Sequence, residues 1–383
     1  MIIQSKRVFI SGQFMKAQIL IDSQKIQAVF PYDHEKVDVD YGDLMVVPGF
    51  IDLHTHGAYG YAVDEGTPDG LANWLAKLPE EGVTSFLPTT ATNYKEATIK
   101  ALQNITAVYE KRPRGAQIIG AHLEGPFLDY TFRGAHEPDL LRTPSLADFE
   151  DFQQAAGGKI RYMTLACEHD ADFALTRYAS RNGVVVSLGH SGASLEMALL
   201  AVANGASSFT HSYNGMKGLH HREPGVVGAL MTSDAYAEII ADGYHVHPNA
   251  INILFKAKNY SRIILITDSL VAKGLPKGTY EFGLGSEKIE IDDNGTAYLS
   301  GTNTIAGSSL RMNLAVKFLV QRAMISVEHA LLAASFYPAQ VLGLEKRKGQ
   351  ILVGNDADLT VLDDGWNVQQ TYCLGERMLK EGF

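Results

Sequence analysis

The chain has 383 residues, 46% hydrophobic and 20% charged, with a formal net charge of −10 and a pI near 5.7. That is the composition of an ordinary folded globular protein, long enough for one large α/β barrel plus a small satellite. The acidic balance argues against nucleic-acid or anionic-membrane partners, which need basic patches, while a local Arg/His pocket could still hold an anionic small substrate.

Two cysteines, Cys167 and Cys373, lie far apart in sequence and read as reduced thiols of a cytoplasmic protein. The opening MIIQSKRVFISGQF lacks an apolar signal core, and no stretch approaches the ~18 apolar residues of a membrane-spanning helix.

Residues 1–46 read as short strands and turns, in RVFISGQF, KAQILIDSQ and KIQAVFPYD, with apolar and polar residues tending to alternate. The end of the chain, 349–383, reads the same way in GQILVG, ADLTVLDDG and TYCLGERML. Both termini together are therefore expected to form a small β-sandwich beside a larger domain over 47–348.

That larger domain alternates strands and helices. Eight apolar runs read as buried strands: VVPGFIDLHTH, SFLPTT, AQIIGAHLEG, RYMTLACE, VVVSLGH, SSFTHS, EIIADG and IILITD. Helices are expected at 70–78, 94–111, 146–156, a segment ending near 181, 195–204 and 249–257. Such alternation predicts a (β/α)₈ barrel before a doubly wound sheet.

Six candidate metal ligands close these runs: His54, His56, Glu124, His190, His211 and Asp268. In a barrel the C-terminal strand ends converge, so the six would form one cup. His54 and His56, two apart on a strand, share a face. Burying so many ionisable groups without a cation would cost several kcal/mol each. Imidazoles and carboxylates without a thiolate cluster suit Zn²⁺ or Fe²⁺, which acidifies a bound water and polarises a carbonyl. Asp268 is then placed as general base for that water and as acid toward a leaving nitrogen. His122, two residues before Glu124, reads equally as a supporting residue or an unrelated core histidine.

PGFIDLHTHG, the strand-end histidines, ITDS and KGQILVGNDADLTVLD resemble the metal-dependent amidohydrolase superfamily. HLEGPFL, RGAHEPD, SLGHSGAS, THSYNGM, DGYHV and TDSLVAKG are similar, within it, to the N-acetylglucosamine-6-phosphate deacetylase family. The resemblance runs from about Pro48 to Asp363 and implies a barrel with a small β-sandwich. Many amidohydrolases carry a carboxylated lysine where this chain has Glu124. It implies a principal metal on Glu124, His190 and His211, with Asp268 as acid/base. Keeping His54 and His56 makes a second metal possible. His136 would contact the sugar or polarise the acetamide carbonyl, and Asn214 and Gly215 would meet the substrate. Arg222 and His245 would clamp a phosphate, with His247 an alternative imidazole. In this family that Arg can come from a neighbouring subunit, which implies a homodimer. The expected substrate is a phosphorylated N-acetyl amino sugar, N-acetylglucosamine 6-phosphate before its galacto epimer or another N-acyl compound.

The chain departs from the family's usual strings at Cys167, at Ser269-Leu270 and in SFYPA. None of these removes a proposed catalytic group. GLHHREPGVVG is a candidate lid.

Overall fold

The computed structural model describes residues 1–64, 66–282, 287–292, 296–302 and 304–379. Its centre is a ring of parallel strands: Phe50–Thr55, Val83–Thr90, Gln117–Ile118 continued by Ala121–Glu124, Ile160–Leu165, Val185–Leu188, Ala206–Phe209, Tyr236–Ile240 and Ile263–Ile266. The third barrel position breaks at Gly120, where φ is +149° and a Cβ would come within 2.5 Å of Arg161. Closure of the ring comes just beyond the last strand. The backbone N–H of Asp268 donates to the carbonyl of His54 at 2.8 Å, and Thr55 bridges Ser269 in parallel. These are the eight strands expected of a (β/α)₈ barrel.

Helices return the chain between strands. Pro68–Lys77, Lys95–Lys111, Leu146–Ala155, Ala174–Arg181, Leu195–Ala203 and Pro248–Ala257 fall where helices are expected. Three of these starts are marked by side-chain caps, as Thr67, Ser145 and Ser194 each accept a first-turn backbone N–H. Among the described residues four further helices, Gly225–Thr232, Met312–Gln321, Val327–Ala334 and Phe336–Val341, escape the sequence reading. The first, GVVGALMT, is buried on nearly every side, so it shows no amphipathic period and contains helix-weakening glycines. The proposed lid string GLHHREPGVVG therefore runs from an exposed loop into a buried helix.

Two cores follow from strand alternation. One lies between strands and helices; the other fills the barrel with Ile51, Leu53, Leu87, Tyr162, Tyr236, Ile240, Ile264 and Ile266. Ala339 and Leu342, from the segment around the helix Phe336–Val341, pack against this interior.

The termini build an eight-stranded sheet with its own core of Ile3, Val8, Ile19, Val46, Leu359, Val361 and Tyr372. Leu359–Leu362 pairs antiparallel with Met45–Pro48, which runs parallel to Ile2–Ile10. GQILVG forms no strand. Its end glycines have φ of +79° and +91°, and Leu352 and Val353 face solvent while Ile351 is buried. A three-stranded sheet, Gly278–Phe282, Glu287–Ile291 and Ala297–Leu299, follows the last barrel strand and was not anticipated. Cys167 and Cys373 are buried and unbonded. No helix among the described residues is long and apolar enough to cross a membrane.

Candidate active site

Local backbone geometry builds the cup. Glu124 is the last residue of its strand, whereas His190, His211 and Asp268 each lie two positions beyond theirs. Each of these three has positive φ, at 47°, 29° and 49°, a conformation costing a non-glycine residue about 1–3 kcal/mol. Such strain, repeated at three strand ends, turns the side chains toward a common centre.

All six expected ligands meet there. Glu124 Oε1 lies 3.4 Å from His190 Nε2 and 3.3 Å from His211 Nε2. Its other oxygen, Oε2, lies 3.2 Å from His54 Nε2 and 3.0 Å from His56 Nε2. Asp268 Oδ1 is 3.5 Å and 3.3 Å from the same two nitrogens. Glu124 thus divides the cup into two halves, one facing each carboxylate oxygen.

Hydrogen bonds on the far side of the rings assign the tautomers. His190 Nδ1 donates to the carbonyl of Phe132 at 2.8 Å, and His211 Nδ1 to that of Asn214 at 3.1 Å. His54 Nδ1 donates to Glu238 at 3.1 Å. A carbonyl or carboxylate cannot donate, so these Nδ1 atoms carry the hydrogen and leave Nε2 free to ligate when the ring is neutral. His136 is the reverse. Its Nδ1 accepts the backbone N–H of Thr92 at 3.2 Å, so Nε2–H points inward as a donor, 3.6 Å from Glu124 Oε2.

The electrostatics show a cavity that demands positive charge. Burial pulls His56 down, but hydrogen bonds and charge from Asp268 and Glu124 outweigh it and push the imidazole up to about 9. His54 is raised for the same reason, burial being outweighed by Glu124 and Asp268. Burial would raise Glu124, yet the charge of His54 and contacts with His136, His190 and His211 hold it well below the usual carboxylate range. Asp268 is likewise held low against burial by His54 and His56. Burial, with His211 and His136 nearby, takes His190 down to about 4, the neutral state that metal ligation would require.

The donor set fits a divalent cation. It contains imidazole Nε2 atoms and carboxylates but no thiolate, and Glu124 Oε1 is buried without a hydrogen-bond donor among the described residues.

The cup opens into a cavity of about 440 Å³ lined by His136, Asn214, Gly215, His245 and Asp268, among others. Gly215 has φ +56°, and a Cβ there would stand 2.8 Å from His190 Nδ1, so the close approach requires glycine. His245 Nδ1 donates to Asp242 at 2.6 Å. His247 is exposed, and its Nδ1 caps the helix Pro248–Ala257; only His245 reaches the cavity. Arg222 does not line it. It is exposed, and its guanidinium contacts His221 at 2.7 Å.

Two residues escaped the sequence reading or were left open by it. His122 is wholly buried, bonded to the Leu53 carbonyl and Thr164 Oγ1, with its ring centroid 4.6 Å from that of His54 in a T-shaped contact; it supports the cup without lining it. Glu238, at the start of EIIADG, looks like a polar strand boundary but is fully buried beneath His54. Its inward alternation with Tyr236 and Ile240 was the available signal.

Residues 45–378 match the amidohydrolase family. The chain is 39% identical over 355 residues to N-acetylglucosamine-6-phosphate deacetylase of Danio rerio, covering 90% of this chain and 86% of that one. It is 36% identical over 333 residues to N-acetylgalactosamine-6-phosphate deacetylase of Escherichia coli O157:H7, covering 87% of each. Among solved structures, an Asp-to-Ala variant of the Mycobacterium smegmatis N-acetyl-D-glucosamine-6-phosphate deacetylase, in complex with N-acetyl-D-glucosamine-6-phosphate, superposes with a TM-score of 0.93. Its identity is 30%, with 99% of each chain covered.

Proposed function

The chain belongs to the amidohydrolase family, and we propose that it removes the acetyl group from N-acetylglucosamine 6-phosphate, yielding glucosamine 6-phosphate and acetate. The observation that carries this reading is the opposition of tautomers in one cup: His54, His190 and His211 present Nε2 toward its centre, while His136 presents N–H. Metal-assisted amide hydrolysis uses both ligands for a cation and a donor for the developing oxyanion.

Glu124, His190 and His211 would hold the principal divalent ion, Zn²⁺ or Fe²⁺, and His54 and His56 would hold a second. When bound, such an ion supplies Lewis-acid polarisation and an acidified water. Asp268 accepts the proton of the attacking water and returns it to the departing sugar amine. His136 donates Nε2–H to the acetamide oxygen as it gains negative charge. Asn214 and Gly215 contact the sugar from the cavity wall. His245, oriented by Asp242, takes the 6-phosphate. Arg222 is exposed and outside its own chain's cavity, which supports a homodimer in which it completes the phosphate clamp of the neighbouring copy. A phosphorylated sugar substrate and two reduced thiols suit the cytoplasm.

The test is acetate release by metal-replete protein from N-acetylglucosamine 6-phosphate, with the galacto epimer in parallel. Failure on both ends the reading, and a higher kcat/KM on the galacto substrate reassigns the substrate to the epimer.

A further inference from the structure

Glu238 occupies the middle of the strand Tyr236–Ile240. Tyr236 and Ile240 project into the barrel, and Ala237 and Ile239 pack outward against the helices, so alternation turns Glu238 inward. There it is completely buried. One oxygen, Oε2, accepts from His54 Nδ1 at 3.1 Å and from the backbone N–H of His211 at 3.1 Å. The Glu238 carbonyl accepts from Ser212 N at 2.8 Å. A single carboxylate oxygen therefore ties the two halves of the cup, since His54 faces Glu124 Oε2 and His211 faces Glu124 Oε1.

A mere clamp between strands could be neutral; an amide or hydroxyl would accept the same hydrogens at a smaller desolvation cost. What a carboxylate adds is a strong, charge-assisted bond. Such a bond fixes the hydrogen on His54 Nδ1, orients the ring and makes Nε2 a better electron donor.

We propose that Glu238 is a positioning residue that presets His54 as a metal ligand and ties that ligand's placement to His211 in the opposite half of the cup. The proposal rests on the cup being a metal centre and is independent of which N-acyl substrate is cleaved.

Co²⁺ serves as the probe, with affinity read by chelator competition and geometry by the visible spectrum. Glu238→Gln keeps a weaker acceptor, and Glu238→Ala keeps none. Affinity for the second Co²⁺ equivalent, the ion His54 would ligate, should fall roughly 10- to 100-fold in Glu238→Ala, as for other outer partners of metal-bound histidines, with Glu238→Gln intermediate. In Zn²⁺-loaded, ¹⁵N-histidine-labelled protein, the His54 Nδ1–H proton, assigned by its loss in His54→Gln, should be protected from solvent exchange and lose that protection in Glu238→Ala. Unchanged Co²⁺ affinity and spectrum in both variants would overturn the proposal. So would an unchanged His54 Nδ1–H signal in Glu238→Ala. If Glu238→Ala does not fold, Glu238→Gln decides: several-fold weaker Co²⁺ binding supports the proposal, and wild-type affinity refutes it. Acetate release enters neither arm, so a wrong substrate assignment cannot imitate failure here.

Discussion

The Nε2 atoms of His190 and His211 face each other at 2.9 Å, although each ring has committed its Nδ1 hydrogen to a backbone carbonyl. Two imidazole lone pairs so close are repulsive unless a proton or a cation sits on them, so the arrangement is built for a ligated ion. Stripping the protein with a chelator should abolish acetate release, and Zn²⁺ or Fe²⁺ should restore it. Metal at 1,000 times its Kd should stabilise the fold by about 4 kcal/mol, seen as a rise in Tm.

The metal-free protein should have an unusual pH dependence. His56 is raised to about 9 in the folded state from roughly 6.5 unfolded. A raised imidazole contributes stability that is complete below the unfolded pKa and disappears as pH rises through the folded one. Tm of the chelated protein should therefore fall between about pH 6.5 and 9. The contribution is at most a few kcal/mol, and His56→Gln should flatten the profile.

Asp268 is ionised across the neutral range, because His54 and His56 hold its carboxyl low. It is thus already in the deprotonated form that a general base requires. Asp268→Asn should lower kcat by roughly 10²- to 10⁴-fold with little change in KM. Metal content measured on the purified variant should match wild type, separating acid/base loss from ligand loss.

His136 differs from the other cup histidines in pointing a hydrogen inward. His136→Ala should reduce kcat by roughly 10²- to 10³-fold, the usual cost of losing one oxyanion donor. Steady-state kinetics with unchanged Co²⁺ affinity would distinguish this donor role from metal ligation.

Arg222 and His245 are assigned to the phosphate. Loss of a hydrogen bond to a charged group is worth about 1.5–3 kcal/mol, so either alanine variant should raise KM for the 6-phosphate by roughly 10- to 100-fold. The unphosphorylated N-acetyl sugar should be nearly unaffected. Sedimentation should show a dimer, and mixing Arg222→Ala with His245→Ala protomers should change activity relative to either variant alone, because each composite site draws on both copies.

The amino-acid sequence alone determined the alternation, the eight barrel strands and the six cup residues. These are local properties: apolar runs of strand length, Ser and Thr caps, and ionisable residues stranded at the ends of apolar segments. It was silent on Gly225–Thr232, whose burial on all sides erases the helical period, and misleading on GQILVG, where flanking glycines turn the chain. The tertiary structure decided what depends on partners distant in sequence. Only the neighbouring carbonyls and the Thr92 N–H separate the histidines that turn a bare Nε2 inward from His136, which turns an N–H inward. Only strand register reveals that Glu238, 184 residues from His54, stands behind it. A tautomer and a buried charge are set by what lies across the barrel, and no pattern along the chain encodes that.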